Sequence, residues 1–261
     1  AASSGVPGVA IPLNYVALSD NQGREQQLTI ALRVEGEEQD QHMEIDTGSS
    51  SLAFCNNAFD KIVAEEHEKT EYAQCNLYGL LNKCPDGKEG ANIGWVGSIY
   101  KGNVTAHDSE SGEQVALMEG VHYAIMDEDE GFYPCEGPLD GIIGVAFSGL
   151  NGAYGVPSDF KYSDMSSKLC EVNDEEAVYG CNTKDLSKVT LDAPLGQALK
   201  QDSESDKSAD AFGLYADYAA VANSEADTII PSQGVLFGGD LALQNQFYTG
   251  GTPQVAKIPT V

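Results

Sequence analysis

The residues best suited to chemistry lie in one short segment, where an aspartate precedes a glycine and several hydroxyl side chains. The segment reads Met43-Glu44-Ile45-Asp46-Thr47-Gly48-Ser49-Ser50-Ser51-Leu52. Gly48 lacks a side chain where the backbone must bend, and the hydroxyls of Thr47 and Ser49 can hold the Asp46 carboxylate in one orientation. A carboxylate held in this way can transfer protons as a general acid or base. The same residue types also form ordinary turns, so this segment alone leaves both interpretations open.

A second segment, further along the chain, combines an apolar run with flanking glycines. It reads Leu139-Asp140-Gly141-Ile142-Ile143-Gly144-Val145-Ala146-Phe147. Glycine in a strand permits another backbone to approach closely. The run therefore predicts a buried strand that packs directly against another part of the chain.

Short runs of β-forming residues predict the elements that would position both segments. Such runs occur at residues 9–11, 28–34, 41–45, 97–105, 115–126, 142–145, 212–218 and 234–237. Helical patterns are confined to residues 61–71 and 194–201. Two segments, 150–190 and 201–231, are rich in Gly, Ser, Asp and Asn and are interpreted as loop insertions. The expected fold class is all-β, mainly strands with short helices.

Composition limits the classes of partner. The 261 residues include 41 acidic and 14 basic side chains, which gives a formal net charge of -27. Such a charge repels phosphate backbones and anionic membranes, so neither nucleic acid nor a membrane is expected as a partner. The histidines show no metal-binding spacing, and the acidic run at residues 127–130 is interpreted as a solvated loop. We therefore expect no metal and no cofactor.

The cysteines indicate disulfides and a secretory route. Six cysteines occur, without the paired C-x-x-C spacing of a zinc site: Cys55, Cys75, Cys84, Cys135, Cys170 and Cys181. One possible pairing closes two short loops, 75 with 84 and 170 with 181, and joins 55 to 135, although about fifteen connectivities exist. Asn103 begins an Asn-Val-Thr glycosylation sequon. The expected location is secreted, vacuolar or lysosomal.

Taken together, the Asp-Thr-Gly-Ser turn and the later Asp-Gly-Ile-Ile-Gly-Val-Ala run resemble the pepsin family of aspartic proteases. Three further segments extend the resemblance. Residues 11–13 resemble the entry strand of the family, residues 39–50 its approach to the catalytic turn, and residues 234–240 with 248–250 and 258–259 the end of its first lobe. The resemblance implies a bilobal fold, of which residues 1–261 form the N-terminal catalytic lobe. The C-terminal lobe is not in this chain.

The resemblance also implies an activity, the hydrolysis of peptide bonds in a peptide or protein substrate. In such proteases two aspartates, one from each lobe, share a proton and activate water. Asp46 would be the first of them, with Thr47, Gly48 and Ser49 supporting the turn. The strand Ile142-Ile143-Gly144 would pass behind the turn and hold it rigid.

The sequence contains no second Asp-Thr-Gly or Asp-Ser-Gly turn, so the second aspartate must come from elsewhere. The favoured explanation is a second chain that carries the C-terminal lobe. A homodimer with two copies of Asp46 is a further possibility. The alternative of a different class is a non-catalytic pepsin-like protein that binds a peptide or protein partner in its cleft.

The flap departs from the usual family pattern of Tyr-Gly-x-Gly-Ser. The corresponding segment reads Ile93-Gly94-Trp95-Val96-Gly97-Ser98-Ile99-Tyr100-Lys101-Gly102. Counting back from its last glycine places Trp95 at the tyrosine position, which makes Trp95, Gly97, Ser98 and Tyr100 the candidate flap residues. A tryptophan of the hydrophobic core is an equally open interpretation of Trp95. The tryptophan that usually follows the catalytic turn is missing, because Ala53 follows Leu52.

Overall fold

The computed structural model of this chain describes residues 8–17, 27–58, 67–78, 82–130, 135, 137–146, 148–173, 176–195, 212–215 and 228–239. Several predictions lie wholly or partly outside these residues. They are the part of the first predicted helix at 61–66, residues 196–201 of the second, the loop insertion over most of 201–231, the end of the strand predicted over 212–218, and the motif residues 240, 248–250 and 258–259.

Strands dominate the described residues. They are β1 Gly8–Ala17, β2 Gln27–Val34, β3 Gln41–Asp46, β4 Leu52–Phe54, β5 Glu68–Tyr78, β6 Asn82–Lys83, β7 Glu89–Gly90, β8 Ile93–His107, β9 Gln114–Glu130, β10 Gly141–Gly144, β11 Gly152–Gly155, β12 Ser166–Asn173, β13 Glu176–Cys181, β14 Ser187–Thr190, β15 Phe212–Tyr215 and β16 Thr228–Gly239. Single turns of 3-10 helix occur at Asn56–Ala58, Ser148–Leu150 and Tyr162–Asp164. The all-β fold class is confirmed.

Each predicted strand falls on an observed strand, but one helix prediction is wrong where it can be compared. Residues 68–71 of the predicted helix 61–71 begin β5 instead. The backbone of this segment pairs with β8, where Lys69 lies opposite Tyr100, and the Thr70 hydroxyl donates to the Ile99 carbonyl at 2.8 Å. Tertiary pairing outweighs the helical preference of a charged run. Of the second helix, residues 194 and 195 are helical.

The segment 150–190, which the sequence predicts to be a loop insertion, contains regular structure. Four short strands, β11 to β14, lie within it. β12 and β13 form a separate two-stranded hairpin, and β11 and β14 extend the main sheet beside β5.

Twelve of the described strands form one sheet that closes on itself in its middle. The order is β14-β11-β5-β8-β9-β4-β10-β3-β2-β1-β16-β15, with an additional pairing between β8 and β2. In that pairing Arg33 lies opposite Thr105. The additional pairing closes a barrel of six strands, β8, β9, β4, β10, β3 and β2, and a closed barrel leaves none of those strands with a free edge.

The main hydrophobic core fills this barrel. Its fully buried side chains come from both early and late strands and include Ile30, Leu32, Met43, Phe54, Val104, Tyr123 and Ile143. The Tyr123 ring contacts Phe54 edge-on, with ring centroids 5.7 Å apart, and stacks on Tyr100 at 6.0 Å. Because β3, β4 and β10 contribute to this core, the chain segment that carries Asp46 is attached to the most deeply packed part of the molecule.

Three disulfides connect the described residues, and only one of the suggested pairings is confirmed. The bonds are Cys55–Cys135, Cys75–Cys181 and Cys84–Cys170. The suggestion of two short loops, 75 to 84 and 170 to 181, is therefore wrong.

The register of the β12–β13 hairpin explains the second of these errors. Cys181 lies opposite Ser166, whereas Cys170 lies opposite Val178. Four residues of strand separate Ser166 from Cys170, a distance of about 13 Å. A disulfide requires Cα atoms within about 7 Å, so Cys170 and Cys181 cannot pair with each other.

Candidate active site

Asp46 is the last residue of β3 and stands at the mouth of a tight turn into β4. Its side chain is half-buried, while Thr47 and Gly48 are exposed. The backbone N–H of Gly48 donates to Asp46 Oδ1 at 2.7 Å. This bond fixes the carboxylate relative to the turn, because a change of its side-chain torsion would break it.

Strand β10 lies between β3 and β4 and forms the floor of the turn. It runs parallel to β3, with Gly144 opposite Asp46, and antiparallel to β4, with Ile143 opposite Leu52 and Ile142 opposite Ala53. The two ladders connect strands on both sides of the turn through a single central strand. The structure thus places Ile142, Ile143 and Gly144 directly behind the turn.

Hydrogen bonds from the end of β10 bind the turn itself. The N–H of Val145 donates to the Asp46 carbonyl at 2.9 Å, that of Ala146 to the Ser49 carbonyl at 2.8 Å, and that of Gly144 to the Ser51 carbonyl at 2.7 Å. These three bonds cover both ends and the middle of the turn. Its backbone is held at several points, which restricts the position of the Asp46 carboxylate.

Gly144 is required by the closeness of this contact. A Cβ atom at residue 144 would lie 2.4 Å from the carbonyl group of Ser49 and from the nitrogen of Ser50. Real Cβ atoms do not approach backbone so closely, and the backbone of the turn cannot move aside as a flexible side chain can. The glycine predicted from the sequence to permit close approach therefore has that function.

A second set of contacts fixes the start of β3. The N–H of His42 donates to Asp140 Oδ2 at 2.8 Å, and the Asp140 backbone both donates to the His42 carbonyl at 3.0 Å and accepts from Cys55 N–H at 2.8 Å. Burial raises the pKa of Asp140, although the His42 N–H and the His42 ring partly oppose that shift. Burial lowers the pKa of His42, while Asp140 and Asp40 oppose the shift.

Trp95, one of the candidate flap residues, is buried in a cluster that includes residues of β4 and β10. Its side chain is 2% exposed and packs with Ala53, Ile99, Met126 and Ile142. Ala53 follows the turn where the family usually has a tryptophan, and the indole of Trp95 belongs to the same buried cluster as this small residue. The interpretation of Trp95 as a core residue agrees with this burial.

The other three candidate flap residues have their contacts with β9 rather than with Asp46. Gly97 approaches β9 so closely that a Cβ would lie 2.2 Å from the Ile125 carbonyl. Ser98 donates to Asp127 Oδ2 from both its N–H, at 2.8 Å, and its hydroxyl, at 2.7 Å. Tyr100 stacks on Tyr123, within the barrel wall.

Tyr78 is the site residue that the sequence reasoning missed. It ends β5, opposite Ile93 of β8. The pKa of Tyr78 is raised to about 12, chiefly by burial and in smaller part by the nearby charge of Asp46, whereas side-chain hydrogen bonds with Trp95 and Ser49 oppose the shift. Tyr78, Trp95 and Ser49 therefore meet within electrostatic range of Asp46.

Two polar groups at this meeting point have no ordinary hydrogen bond. Ser49 Oγ and Trp95 Nε1 are buried, and neither has a partner within ordinary hydrogen-bond geometry among the described residues. Both side chains nevertheless interact with the Tyr78 phenol, as weaker hydrogen bonds that lower its pKa. The Tyr-Gly dipeptide at residues 78–79 is a local signal for this arrangement, but two leucines follow it, where the family pattern has Gly-Ser after one further residue.

Asn103 lies far along β8, at a bulge where the pairing with β9 shifts. Its Oδ1 accepts the N–H of Gly120 at 2.9 Å, and its carbonyl accepts the N–H of Glu35. A glycan is attached through Nδ2, which that contact does not use. Glycosylation of Asn103 stays a prediction.

The described residues contain no group of three or more His, Cys, Asp or Glu side chains arranged to hold a metal ion. No helix within the described ranges is long and apolar enough to cross a membrane. The chemistry that the site can perform with its own residues is proton transfer at a fixed, partly exposed carboxylate, beside a phenol, an indole and a hydroxyl.

Comparison with known proteins identifies the fold. No protein-family profile and no curated protein matches the sequence. Among solved structures, the chain resembles an aspartic proteinase from Irpex lacteus, with a TM-score of 0.50 and 13% sequence identity, covering 89% of this chain. The chain spans about half, 48%, of the length of that proteinase. A structure described as edgp matches with a TM-score of 0.31 and 12% identity, covering 89% of this chain and 57% of that one. The first likeness shows that the chain has the fold of a pepsin-like lobe.

Proposed function

We propose that this chain is the N-terminal catalytic lobe of a pepsin-like aspartic endopeptidase, with Asp46 as one of its two catalytic aspartates. The observation that carries the proposal is the fixed position of the Asp46 carboxylate. Strand β10 holds the turn from behind, the Gly48 N–H holds Oδ1 at 2.7 Å, and the side chain is still half-exposed. A purely structural aspartate would not need to be both rigid and accessible.

The reaction requires two carboxylates that share one proton, since two like charges at short distance do not both ionise readily. The ionised carboxylate takes a proton from water, whose oxygen attacks the carbonyl carbon of the peptide bond. The protonated carboxylate gives its proton to the carbonyl oxygen. The carboxyl group that took the proton from water then gives it to the nitrogen, and the other carboxylate takes a proton from one hydroxyl of the tetrahedral intermediate. The C–N bond breaks, which leaves an amine, a carboxylic acid and the pair of aspartates in its starting state.

Asp46 supplies one of these carboxylates, and the C-terminal lobe supplies the other. The 261 residues contain no second Asp-Thr-Gly or Asp-Ser-Gly turn, so the second aspartate would be supplied by a separate chain or by a C-terminal lobe outside these residues. The match to about half of an aspartic proteinase supports this division. The two lobes would bind a peptide or protein substrate between them.

Thr47, Gly48 and Ser49 support the carboxylate, and Tyr78 with Trp95 covers it from the β5–β8 hairpin. Ser49 Oγ and Trp95 Nε1, which have no partner within ordinary hydrogen-bond geometry among the described residues, are two donors beside Tyr78 at the edge of the cleft. In the assembled enzyme they would hydrogen-bond to water or to the substrate backbone. Gly97, Ser98 and Tyr100 support this hairpin through β9.

Three disulfides support a location in the secretory pathway or outside the cell, since such bonds persist in oxidising compartments. We propose a secreted, vacuolar or lysosomal enzyme. The formal charge of -27 suits an acidic compartment, because protonation of carboxylates relieves their mutual repulsion.

The test is cleavage of a denatured protein at acid pH by the purified material, together with any chain that co-purifies. Asp46→Asn should lower the cleavage rate by at least about 1,000-fold. Asp159→Asn, at an exposed turn, should leave that rate unchanged. A transition-state-mimicking peptide inhibitor should block the activity. If the two-chain material binds the inhibitor but cleaves nothing, the protein is a binding protein and the proposal fails.

A further inference from the structure

A buried amide side chain connects the catalytic turn with the strand that carries Tyr78. Asn151 lies just before β11 and is 2% exposed. Its Oδ1 accepts hydrogen bonds from Gln74 Nε2 at 2.7 Å and from Ser51 Oγ at 3.2 Å. Its Nδ2 donates to the Asp192 carbonyl at 3.0 Å, and its own carbonyl accepts from Leu191 N–H at 2.8 Å. One residue therefore joins three separate parts of the chain.

The partners of Asn151 are themselves fixed. Ser51 is 3% exposed, and its carbonyl accepts the N–H of Gly144 on the strand behind the turn. Gln74 is 2% exposed, and its Nε2 makes a second bond to the Gly152 carbonyl at 3.1 Å. The three side chains form a closed polar network inside the protein, where each hydrogen bond is stronger than at the surface.

The position of this network relative to Asp46 follows from strand geometry. Gln74 and Tyr78 are four residues apart on β5, so their side chains lie on the same face, about 13 Å apart. Ser51 lies two positions after Ser49, at the end of the turn. Ser51 and Gln74 are buried, whereas Ser49 and Tyr78 are only half-buried, so the pair connected through Asn151 lies deeper in the protein.

We propose that Asn151 is a positioning residue, which fixes β5 against the catalytic turn and so keeps Tyr78 and Trp95 beside Ser49 and Asp46. The inference rests on the proposed function for its effect on catalysis. The contact that Asn151 would maintain is the one in which the side chains of Trp95 and Ser49 interact with the Tyr78 phenol and lower its pKa. The distance between turn and flap strand is then set by the deeper network.

Loss of the Asn151 side chain should act at two places at once. The Gln74 amide would keep its bond to the Gly152 carbonyl and lose the other, and the Ser51 hydroxyl would lose the acceptor it has here. Both groups are buried, so each unmade bond is unfavourable. Relaxation would separate β5 from the turn, and water would enter between Tyr78 and Ser49.

Trp95 allows this separation to be observed directly. It is the only tryptophan in the sequence, so the tryptophan fluorescence of the protein reports on this contact alone. We expect Asn151→Ala to shift Trp95 emission to longer wavelength and to increase its quenching by acrylamide at least about twofold, under conditions where far-UV circular dichroism shows a folded chain. In the active two-chain material, kcat/KM for a peptide substrate should fall by about 10- to 100-fold.

A matched control separates positioning from general destabilisation. Asn14 is also 2% exposed, and its Nδ2 donates to Ser109 Oγ at 2.9 Å, away from the flap strand. Asn14→Ala should lower stability without changing Trp95 emission, quenching or kcat/KM. If Asn14→Ala and Asn151→Ala change these readouts equally, or if neither changes them, Asn151 has no positioning role.

Two further variants keep the test decisive if Asn151→Ala does not fold. Ser51→Ala and Gln74→Met each remove one bond to Asn151, and both should shift Trp95 quenching in the same direction. A double variant should change it by less than the sum, because both act through one network. Fluorescence does not require catalysis, so absence of any cleavage by the wild-type material would refute the proposed function and leave the positioning role to be decided by the emission data.

Discussion

Trp95 and Tyr78 belong to opposite strands of one hairpin, and their side chains meet beside Ser49. Trp95 can therefore be a core residue and still contact the side chain of Tyr78. Its indole is 2% exposed and packs against Ala53, yet its Nε1 lowers the pKa of the Tyr78 phenol. We interpret Trp95 as a core residue and Tyr78 as the half-buried residue beside it.

The buried carboxyl group of Asp140 should make the free energy of unfolding depend on pH. Burial raises the pKa of Asp140 above the ordinary value of 3.8 for an aspartate, so the folded chain binds the proton more tightly than the unfolded chain. The stabilisation is fully present below about pH 3.8 and is lost as pH rises through the raised pKa. Asp140→Asn keeps an oxygen to accept the His42 N–H. The free energy of unfolding of this variant, relative to wild type, should therefore increase from about pH 3 to about pH 7.

Chemical denaturation at several pH values measures this difference. Asp159→Asn is the control, since that side chain is exposed and lies in a surface turn. A constant difference between Asp140→Asn and wild type across the range would show that the Asp140 proton is not linked to folding.

At the residue scale, the sequence predicts local features well and contacts between distant segments poorly. The turn at Asp46 and the role of Gly144 follow from neighbouring residue types, because the required backbone geometry is local. Tyr78 was missed because its partners, Ser49 and Trp95, are distant in the sequence. Asn151 was missed for the same reason, since an asparagine in a glycine-rich segment is typical of any loop.

At the scale of elements, β10 is the strand on which the site depends. Gly144→Ala would place a methyl group 2.4 Å from the backbone of Ser49 and Ser50. We expect a loss of about 1 to 3 kcal/mol in the free energy of unfolding and, in the active material, a larger fractional loss of activity than of folded protein, because the Asp46 turn is displaced first.

Gly149→Ala is the matched control for this prediction. A Cβ at residue 149 meets nothing within 4 Å, so stability should change by no more than about 0.5 kcal/mol. Thermal unfolding with a parallel acid proteolysis assay measures both effects. If Gly144→Ala is as active and as stable as Gly149→Ala, close contact between β10 and the turn is not required.

The strands were predictable because their apolar residues alternate or form short buried runs, and each such run became a strand. Two kinds of element were not predictable. The charged segment before Tyr72 looks helical by composition, and only its pairing with β8 makes it a strand. The strands within 150–190 contain too few apolar residues to be recognised, since β14 is mostly exposed and β11 is a four-residue segment.

At the scale of the whole molecule, two disulfides attach the β12–β13 hairpin to the part of the chain that runs from β5 to β8. One joins Cys75 of β5 to Cys181, and the other joins Cys84 to Cys170. Tyr179 adds a pair of backbone hydrogen bonds with Ala91, at 3.1 and 2.8 Å. This hairpin, although outside the main sheet, is therefore attached at three points to the part of the chain between β5 and β8.

Removal of the outer bond tests that assignment. Digestion without reduction should yield a peptide pair linked through Cys84 and Cys170. The double variant Cys84→Ser, Cys170→Ser should lose up to about 4.5 kcal/mol of stability, because the bond closes a loop with a sequence separation of 86 residues. Mass spectrometry and denaturant unfolding measure the two results. Linked peptides that join 75 to 84 or 170 to 181 would show that the local pairing forms instead.

The pairing of β1 with β16 has a consequence for folding during synthesis on the ribosome. Gly8 lies opposite Gly239 and Ala17 opposite Thr228, so the first described strand can complete this pairing only after residue 239 has been synthesised. At about 5 to 20 residues per second, a ribosome needs roughly 10 to 45 s to synthesise the intervening chain. During that time one edge of β1 lacks its native neighbour, and its free backbone N–H and C=O groups can pair with another chain. Nascent chains should therefore depend on chaperones that shield the N-terminal strand until synthesis reaches residue 239.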